Sequence, residues 1–280
     1  MQRADPASRR HAVAEAVAAG YAANPKVAGV LLAGSVARGL ADDFSDVEVD
    51  VFWHDAPTVE DRRDPLTRGG WLAISAHVDE HEWADTFRVD GVNVDTSQFL
   101  VETIDAWIDR VVSAGDPEPE FQVRITAIRL GQPLYRPELV DRWRARTDTY
   151  PDALAHAMVR KGVDLWPRAR LQALAARDDV LLLHSDLVDN VQLLLDMLMG
   201  LNRMYAPHPW HKWLDAETAQ LAVAPEDLNR RIRALLTADA HEAADDVGRL
   251  VDETIALVER HLPSFDAREL RAAFEEVRAQ

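Results

Sequence analysis

The segment Asp46–Trp53 constrains the fold more than any other part of the chain. It reads Asp-Val-Glu-Val-Asp-Val-Phe-Trp, with acidic and apolar residues alternating over its first six positions. Because successive side chains of a strand point to opposite faces, this pattern predicts a strand with one acidic and one buried face. Crowded carboxylates repel each other, and a divalent cation that prefers oxygen ligands, such as Mg²⁺, would offset that repulsion. A half-exposed edge strand with acidic residues on its wet face would give the same pattern.

A glycine-serine pair precedes this strand. Gly34 and Ser35 follow directly on the apolar run Val27–Ala33, which we expect to be a buried strand, and ten residues separate Ser35 from Asp46. Glycine allows the backbone to approach a ligand closely, and the start of a helical turn after it offers N–H groups to phosphate oxygens. By itself such a pair is typical of an ordinary turn. Together with the acidic strand it indicates a site for phosphate and metal.

The remaining sequence predicts an α+β fold in two parts. Residues 1–140 are expected to form a domain with a short mixed sheet and flanking helices, and residues 141–280 an all-helical domain, joined somewhere near 136–151. The alternation, apolar runs and turn residues of the first part predict one opening helix, further strands and a hairpin turn: residues 8–23 for the helix, 71–78, 85–89 and 92–99 for the strands, and Asp90-Gly91 for the turn.

Composition limits the classes of function. The 280 residues carry a net charge of −17 and include no cysteine. A phosphate backbone is usually bound by a basic surface, so we expect no nucleic-acid partner; an acidic chain would instead attract a small cationic molecule, although acidity also occurs simply for solubility. No apolar run reaches the roughly 18 residues of a membrane span. The charges within Met1–Pro6 precede no apolar signal region, so we expect a cytoplasmic protein.

The stretch from Ala33 to Phe52, AGSVARGLADDFSDVEVDVF, resembles the nucleotidyltransferase superfamily that includes DNA polymerase beta and the antibiotic nucleotidyltransferases. That superfamily has an apolar strand, Gly-Ser or Gly-Gly, roughly ten residues, and then Asp-x-Asp/Glu on the next strand. Here Gly34-Ser35 and Asp46-Val47-Glu48 match. Ala37-Arg38-Gly39 and the step from Ser45 to Asp46 are common in its small-molecule branch. The resemblance covers residues 27–53 well and extends to 91–99.

The resemblance implies transfer of a nucleoside monophosphate from ATP or another nucleoside triphosphate to an acceptor hydroxyl, with release of pyrophosphate and with Mg²⁺ or Mn²⁺ as cofactor. Asp46 and Glu48 would hold the metal. Asp95 would be the third carboxylate of the metal site if its strand lies beside the acidic one; the alternative is a polar strand residue near a hairpin. We expect Asp50 to pair with an arginine instead of metal.

Other residues have implied roles around the nucleotide. Gly34 and Ser35 would bind the β- and γ-phosphates, and Arg38 the triphosphate, since guanidinium suits phosphate geometry. The helical domain would complete the cleft. Lys212 lies in an aromatic and cationic segment, residues 202–213, that is either a binding wall reaching phosphate or a packed corner between helices. The general base stays open between Asp95 and two helix residues, Asp189 and Asp196, for which structural roles are also expected.

Several functions compete at this level. The first is modification of a small hydroxyl-bearing acceptor, of cationic aminoglycoside-like type, which would make antibiotic resistance a role of the chain. The second is adenylylation of a protein partner, or an antitoxin-like regulator. The third is a non-catalytic module that binds nucleotide. A nucleic-acid polymerase comes last, because the sequence shows no basic stripe.

Overall fold

The computed structural model describes residues 6–275 and shows an α+β architecture, as predicted. Met1–Asp5 lie outside the described residues. They belong to the segment from which we expect no secretory signal. A six-stranded sheet has the order β3-β4-β5-β2-β1-β6. The pair β2 and β5 is parallel and the other neighbouring pairs are antiparallel, so the predicted mixed sheet is confirmed. The strands are β1 Val27–Leu32, β2 Val47–Trp53, β3 Leu72–Val78, β4 Trp83–Val89, β5 Val92–Leu100 and β6 Gln132–Tyr135.

Alternation along the strands assigns the two faces of the sheet. Val47, Val49 and Val51 of β2 are fully buried, and they share an apolar cluster with residues of the first helix and of β1, β4 and β5. Glu48 lies on the other face, because consecutive strand residues alternate. The predicted acidic face and apolar face of this strand are therefore both present.

Within residues 6–146, six helices accompany the sheet. The helix α3 begins with a capping box, in which the Asp61 N–H donates to the Thr58 hydroxyl at 3.1 Å and the Thr58 N–H donates to the Asp61 carboxylate at 2.9 Å. The chain leaves this helix at Gly70, which adopts the left-handed conformation. The helices are α1 Pro6–Ala22, α2 Gly34–Ala37, α3 Val59–Gly69, α4 Val101–Ala114, α5 Pro119–Leu130 and α6 Pro137–Arg146.

The second part of the chain is helical, as predicted. Two 22-residue helices, α9 and α12, supply much of its apolar core. Within residues 6–275, no helix combines the length and the apolar character that a membrane crossing requires. The elements are α7 Asp152–Arg160, a 3₁₀ helix Lys161–Asp164, α8 Arg168–Ala176, α9 Val180–Leu201, α10 Leu214–Thr218, α11 Leu228–Leu235, α12 Ala240–His261 and α13 Arg268–Phe274.

Backbone proximity divides the chain into two compact units. The first contains the chain up to Arg110 together with Arg124–Thr149, and the second contains Val111–Val123 together with the chain from Tyr150 onward. The division crosses α4 and α5, so the second unit includes a short segment that precedes β6 in sequence. The predicted boundary between residues 140 and 141 stays a prediction.

Candidate active site

The parallel pairing of β2 with β5 brings two predicted acidic residues side by side. Glu48 on β2 is in register with Asp95 on β5. Residues in register on neighbouring strands project to the same face, and the strands lie about 4.8 Å apart, so the two carboxylates are neighbours. Both side chains are half-buried. The expectation that the strand of Asp95 lies beside the acidic strand is confirmed, and the role of Asp95 in metal binding stays a prediction.

The third predicted acidic residue, Asp46, lies just before β2. The strand begins at Val47, one residue later than the alternation predicted. The side chain of Asp46 is half-buried, and it lines a cavity of about 560 Å³ in the first unit. Asp46 is therefore next to the acidic face of the sheet and also next to open space.

The carboxylates Asp46, Glu48 and Asp95 offer a donor set made of oxygen. Within residues 6–275, no three His, Cys, Asp or Glu side chains are grouped closely enough to hold a metal by themselves. Mg²⁺ is usually bound through one or two carboxylates, with water and substrate phosphates completing its octahedron. The chemistry of these carboxylates fits that mode of binding, in which water and phosphate oxygens complete the coordination, and it does not provide an all-protein cage.

Gly34 provides the space in which the Glu48 carboxylate lies. A Cβ atom at position 34 would be 2.4 Å from Glu48 Cδ and 2.5 Å from Oε2. Gly34 also has a φ of +63°, in the left-handed region that glycine tolerates best. The Ala33 N–H donates to the Glu48 carbonyl at 2.9 Å, which holds the two backbones together at this point. The glycine of the predicted motif and the second acid of that motif are thus in direct contact.

Ser35 and Arg38 belong to the short turn of helix that follows. Ser35 is buried, and the four-residue helix α2 ends at Arg38. The Arg38 N–H donates to the Gly34 carbonyl at 3.3 Å, and its side chain is half-buried. The brief helical turn predicted after the Gly-Ser pair is confirmed. Phosphate binding by Ser35 and Arg38 stays a prediction.

Asp50 lies on the acidic face but is paired with Arg124 of α5, as predicted in general terms. The Arg124 guanidinium donates to Asp50 Oδ1 and lies over the Phe99 ring, 4.3 Å from its centroid. Burial raises the pKa of Asp50, and the charge of Arg124 opposes that increase. Among the described residues, Asp50 Oδ2 and Arg124 Nε have no hydrogen-bond partner. No motif in the sequence indicates Arg124, which also interacts electrostatically with Glu48.

The predicted residues of the helical unit have structural partners. Asp189 accepts a hydrogen bond from the Trp166 indole at 3.1 Å, and Asp196 pairs with Lys161 at 2.8 Å. These contacts support the structural interpretation of both acids. Lys212 is exposed. Its proposed contact with phosphate, and the use of Asp189 or Asp196 as a base, stay predictions.

The segment 202–213 contributes to a packed, charged cluster in the second unit. His211 Nδ1 lies 3.1 Å from Glu217 Oε2, and its Nε2 lies 3.5 Å from Asp196 Oδ1. Burial lowers the pKa of His211, but the two carboxylates outweigh burial and raise it to about 9. Tyr205 packs on Tyr150, with ring centroids 4.8 Å apart. At these positions the segment is a corner between helices.

Arg10, which the sequence interpretation did not consider, holds the loop before Asp46. The side chain is 7% exposed. Its Nε donates to the Ser45 carbonyl at 2.7 Å, and its Nη2 donates to the Asp43 carbonyl at 2.9 Å. Because these carbonyls directly precede Asp46, Arg10 fixes the backbone from which that carboxylate projects. No motif connects residues 35 positions apart, so spacing alone does not reveal this contact.

The cavity beside Asp46 brings together side chains from separate elements. They come from α1, from the loop before β2, and from the hairpin of β4 and β5, including its turn. Three of them are arginines, none of which the sequence analysis selected. The cavity is lined by Arg9, Arg10, Asp43, Phe44, Ser45, Asp46, Arg88, Gly91, Val92 and Asn93.

Comparison with known proteins gives a likeness in structure and none in sequence. No protein-family model matches the chain, and no curated protein matches it at a significant level. Among solved structures, the chain is similar to a nucleotidyltransferase-like protein from Exiguobacterium sibiricum 255-15. The sequences are 15% identical, and the match covers 91% of this chain and 78% of that chain with a TM-score of 0.43.

Proposed function

We propose that the chain is a metal-dependent nucleotidyltransferase, with ATP as donor and a small hydroxyl-bearing molecule as acceptor. In this reaction the acceptor oxygen forms a bond to the α-phosphorus of the triphosphate. The bond between that phosphorus and the oxygen bridging to the β-phosphate breaks. Pyrophosphate leaves, and the hydroxyl proton passes to a base.

One arrangement carries the proposal. Gly34 lies against the Glu48 carboxylate, and Glu48 is in register with Asp95 on the neighbouring strand. The Glu48 carboxylate occupies space that any side chain at position 34 would fill. The parallel pairing puts Asp95 next to it. A structural acidic strand requires neither the glycine nor a second carboxylate on the neighbouring strand, because like charges at this distance destabilise the fold. A site that binds a cation accounts for both.

The proposed roles divide between metal and phosphate. Asp46, Glu48 and Asp95 would hold Mg²⁺ or Mn²⁺, which supplies positive charge to stabilise the phosphate oxygens as the leaving group departs. Gly34 and Ser35 would bind the β- and γ-phosphates through the backbone and a hydroxyl. Arg38 and Lys212 are further proposed ligands of the triphosphate, Arg38 through its planar guanidinium and Lys212 as a point charge.

The acceptor proton requires a base, for which Asp95 is the proposed residue of the first unit. The Thr86 hydroxyl donates to Asp95 Oδ1 at 2.6 Å. This bond fixes the orientation of the carboxylate relative to β5. It leaves Oδ2 as the oxygen that would receive the proton. Asp189 and Asp196 are the alternatives in the helical unit.

Pyrophosphate release tests the proposal. The full chain is incubated with Mg²⁺, each nucleoside triphosphate and a panel of hydroxyl-bearing acceptors. Asp46→Asn and Glu48→Gln are each expected to lower kcat at least about 100-fold. Each substitution removes a proposed carboxylate ligand of the metal ion that binds the reacting phosphates. Asp55→Asn removes the same charge from an exposed position after β2 and serves as the matched control.

Three outcomes count against the proposal. Undiminished activity in Asp46→Asn and Glu48→Gln would refute the assignment of the site. Absence of turnover with every acceptor, together with no Mg²⁺-dependent shift of Tm by any triphosphate, would favour the non-catalytic module. Transfer to a protein but to no small molecule would identify the protein-modifying alternative.

A further inference from the structure

The cavity beside Asp46 has a local charge opposite to that of the chain. The protein carries a net charge of −17. The cavity wall nevertheless contains three arginines, Arg9, Arg10 and Arg88, against two aspartates, Asp43 and Asp46. Carboxylates are in excess in this chain, so a concave surface with more guanidinium than carboxylate groups is an exception that calls for a chemical explanation.

Arg9 and Arg88 keep most of their donors available. The Arg9 guanidinium donates to the carbonyl of Asp90, and Arg88 Nε donates to the Asn93 amide oxygen at 2.9 Å. Both acceptors are uncharged groups, and in the part of the chain that the structure describes neither guanidinium forms an ion pair with a carboxylate. Each guanidinium has five N–H donors, so their positive charges and several donors are available to another molecule.

Gly91 keeps the space beside these groups open. A Cβ atom at this position would meet only Arg9 Nη2 within 4 Å, at 3.7 Å. Gly91 has a φ of +79° in the hairpin turn, a conformation that other residues adopt at a cost. A turn of this kind allows a ligand to approach the backbone and the Arg9 side chain together.

We propose that this cavity binds the phosphate group of the acceptor, with Arg9 and Arg88 as its ligands. A phosphate dianion has several oxygens that accept the paired N–H groups of guanidinium, which makes it a better match than a single carbonyl or hydroxyl. Arg10 donates to the loop carbonyls and contributes a third positive charge to the cavity wall. Identification of this molecule as the acceptor rests on the proposed nucleotidyl transfer; the anion site itself does not.

The arginines of the cavity favour an anionic acceptor, whereas the overall composition suggests a cationic one. The net charge of the chain favours a cationic, aminoglycoside-like molecule at long range. For a ligand in the cavity, the charges of the lining residues have more effect than the net charge of the chain. Salt screens the field of charges farther away than about 8–10 Å. The cavity next to Asp46 therefore selects an anionic hydroxyl compound.

Binding without nucleotide or metal tests the anion site directly. Inorganic phosphate and pyrophosphate are titrated into the full chain by calorimetry at constant ionic strength. Saturable binding is expected. The double variant Arg9→Gln/Arg88→Gln should raise the Kd at least about tenfold. Loss of one charge-assisted hydrogen bond is enough to cause a change of this size. Both arginines are exposed, and circular dichroism and Tm verify that the variant is folded.

Arg63→Gln is the matched control, because Arg63 is an exposed arginine on α3 and does not line the cavity. It should bind both anions as the unchanged protein does. An equal loss of binding in Arg63→Gln would show a general charge effect and would overturn the site. Failure of both anions to bind saturably up to about 10 mM, where even Kd values of a few millimolar are detected, would do the same.

A second experiment distinguishes the acceptor's phosphate from the phosphates of the donor. Pyrophosphate release is measured with ribose, ribose 5-phosphate and the cationic glucosamine as acceptors. The double variant should raise the KM for ribose 5-phosphate and leave the KM for ATP unchanged. A higher KM for ATP alone would assign the cavity to the triphosphate and overturn the acceptor assignment. Phosphate binding that the double variant loses, without turnover of any acceptor, would support the anion site and contradict the proposed transferase.

Discussion

At the scale of single residues, the contact between Gly34 and Glu48 is the most specific feature of the candidate site. The structure separates two reasons for glycine at such a position. Gly34 and Gly39 both have left-handed φ values, +63° and +70°. A Cβ at Gly34 would overlap the Glu48 carboxylate, whereas a Cβ at Gly39 would meet no atom within 4 Å. The two glycines thus share backbone strain and differ in the space around them.

Gly34→Ala is therefore expected to damage the site more than Gly39→Ala. Each substitution costs about 1–2 kcal/mol of stability from the left-handed backbone. Gly34→Ala additionally displaces the Glu48 carboxylate and should abolish Mg²⁺-dependent pyrophosphate release. Urea unfolding and the activity assay measure the two effects on the same pair of variants. Equal activity in the two alanine variants would show that the Glu48 carboxylate need not lie where the structure places it.

His211 gives a second prediction at this scale, in the stability of the helical unit. Its pKa is about 9 in the folded chain, against an ordinary value of 6.5. A group that binds its proton more tightly when folded stabilises the fold below pH 6.5, and that contribution disappears as pH rises through 9. The difference corresponds to about 3 kcal/mol. The free energy of unfolding should therefore decrease between pH 6.5 and 9.

His211→Gln should remove this part of the pH dependence, measured by urea unfolding at pH 6, 7.5 and 9. The variant is expected to be less stable than the unchanged protein at pH 6 and to approach it at pH 9. His54→Gln, at an exposed position after β2, is the control and should leave the pH dependence as it was. A pH slope that persists in His211→Gln would mean that other groups cause it.

At the scale of elements, the ion pair of Asp50 and Arg124 joins β2 to α5. Both side chains are almost inaccessible, at 3% and 15% exposure, so each depends on the other for compensation of its charge. Removing one partner of a buried pair leaves an uncompensated charge and typically costs 3–5 kcal/mol, whereas removing both can be far less costly.

Arg124→Leu should accordingly lower the free energy of unfolding by about 3–5 kcal/mol, and Asp50→Asn in the same chain should restore part of it. Urea unfolding of the single and double variants measures this coupling. Arg230→Leu, which breaks the exposed pair of Arg230 with Asp227, is the control and should change stability little. A double variant less stable than Arg124→Leu would contradict the explanation.

Element prediction succeeded where local pattern and local environment agree. The strands β1 to β5 begin and end within two residues of the predicted positions, because apolar runs, alternation and turn residues specify them. The helix α3 was not predicted. Its capping box is visible in the sequence at Thr58 and Asp61, but Pro65 and many charged residues interrupt its apolar pattern. The strand β6 was not predicted either, since its four residues are too few to show periodicity.

At the scale of the whole molecule, composition and local structure lead to different expectations. The charge of −17 describes the average surface, and the arginine cavity describes one place on it. Each of the two units has its own apolar core. The first core is built by strand alternation, and the second by long amphipathic helices. The α+β class follows from these two local patterns, so sequence alone predicted it.

The sequence by itself determined the acidic and apolar faces of β2, the Gly-Ser turn and the helical second half, because alternation and turn chemistry act over a few residues. Only the tertiary structure placed Asp95 beside Glu48, paired Arg124 with Asp50 across 74 positions, and gathered the arginines beside Asp46. These contacts depend on strand order and helix packing. Local periodicity carries no information about which distant side chains will meet.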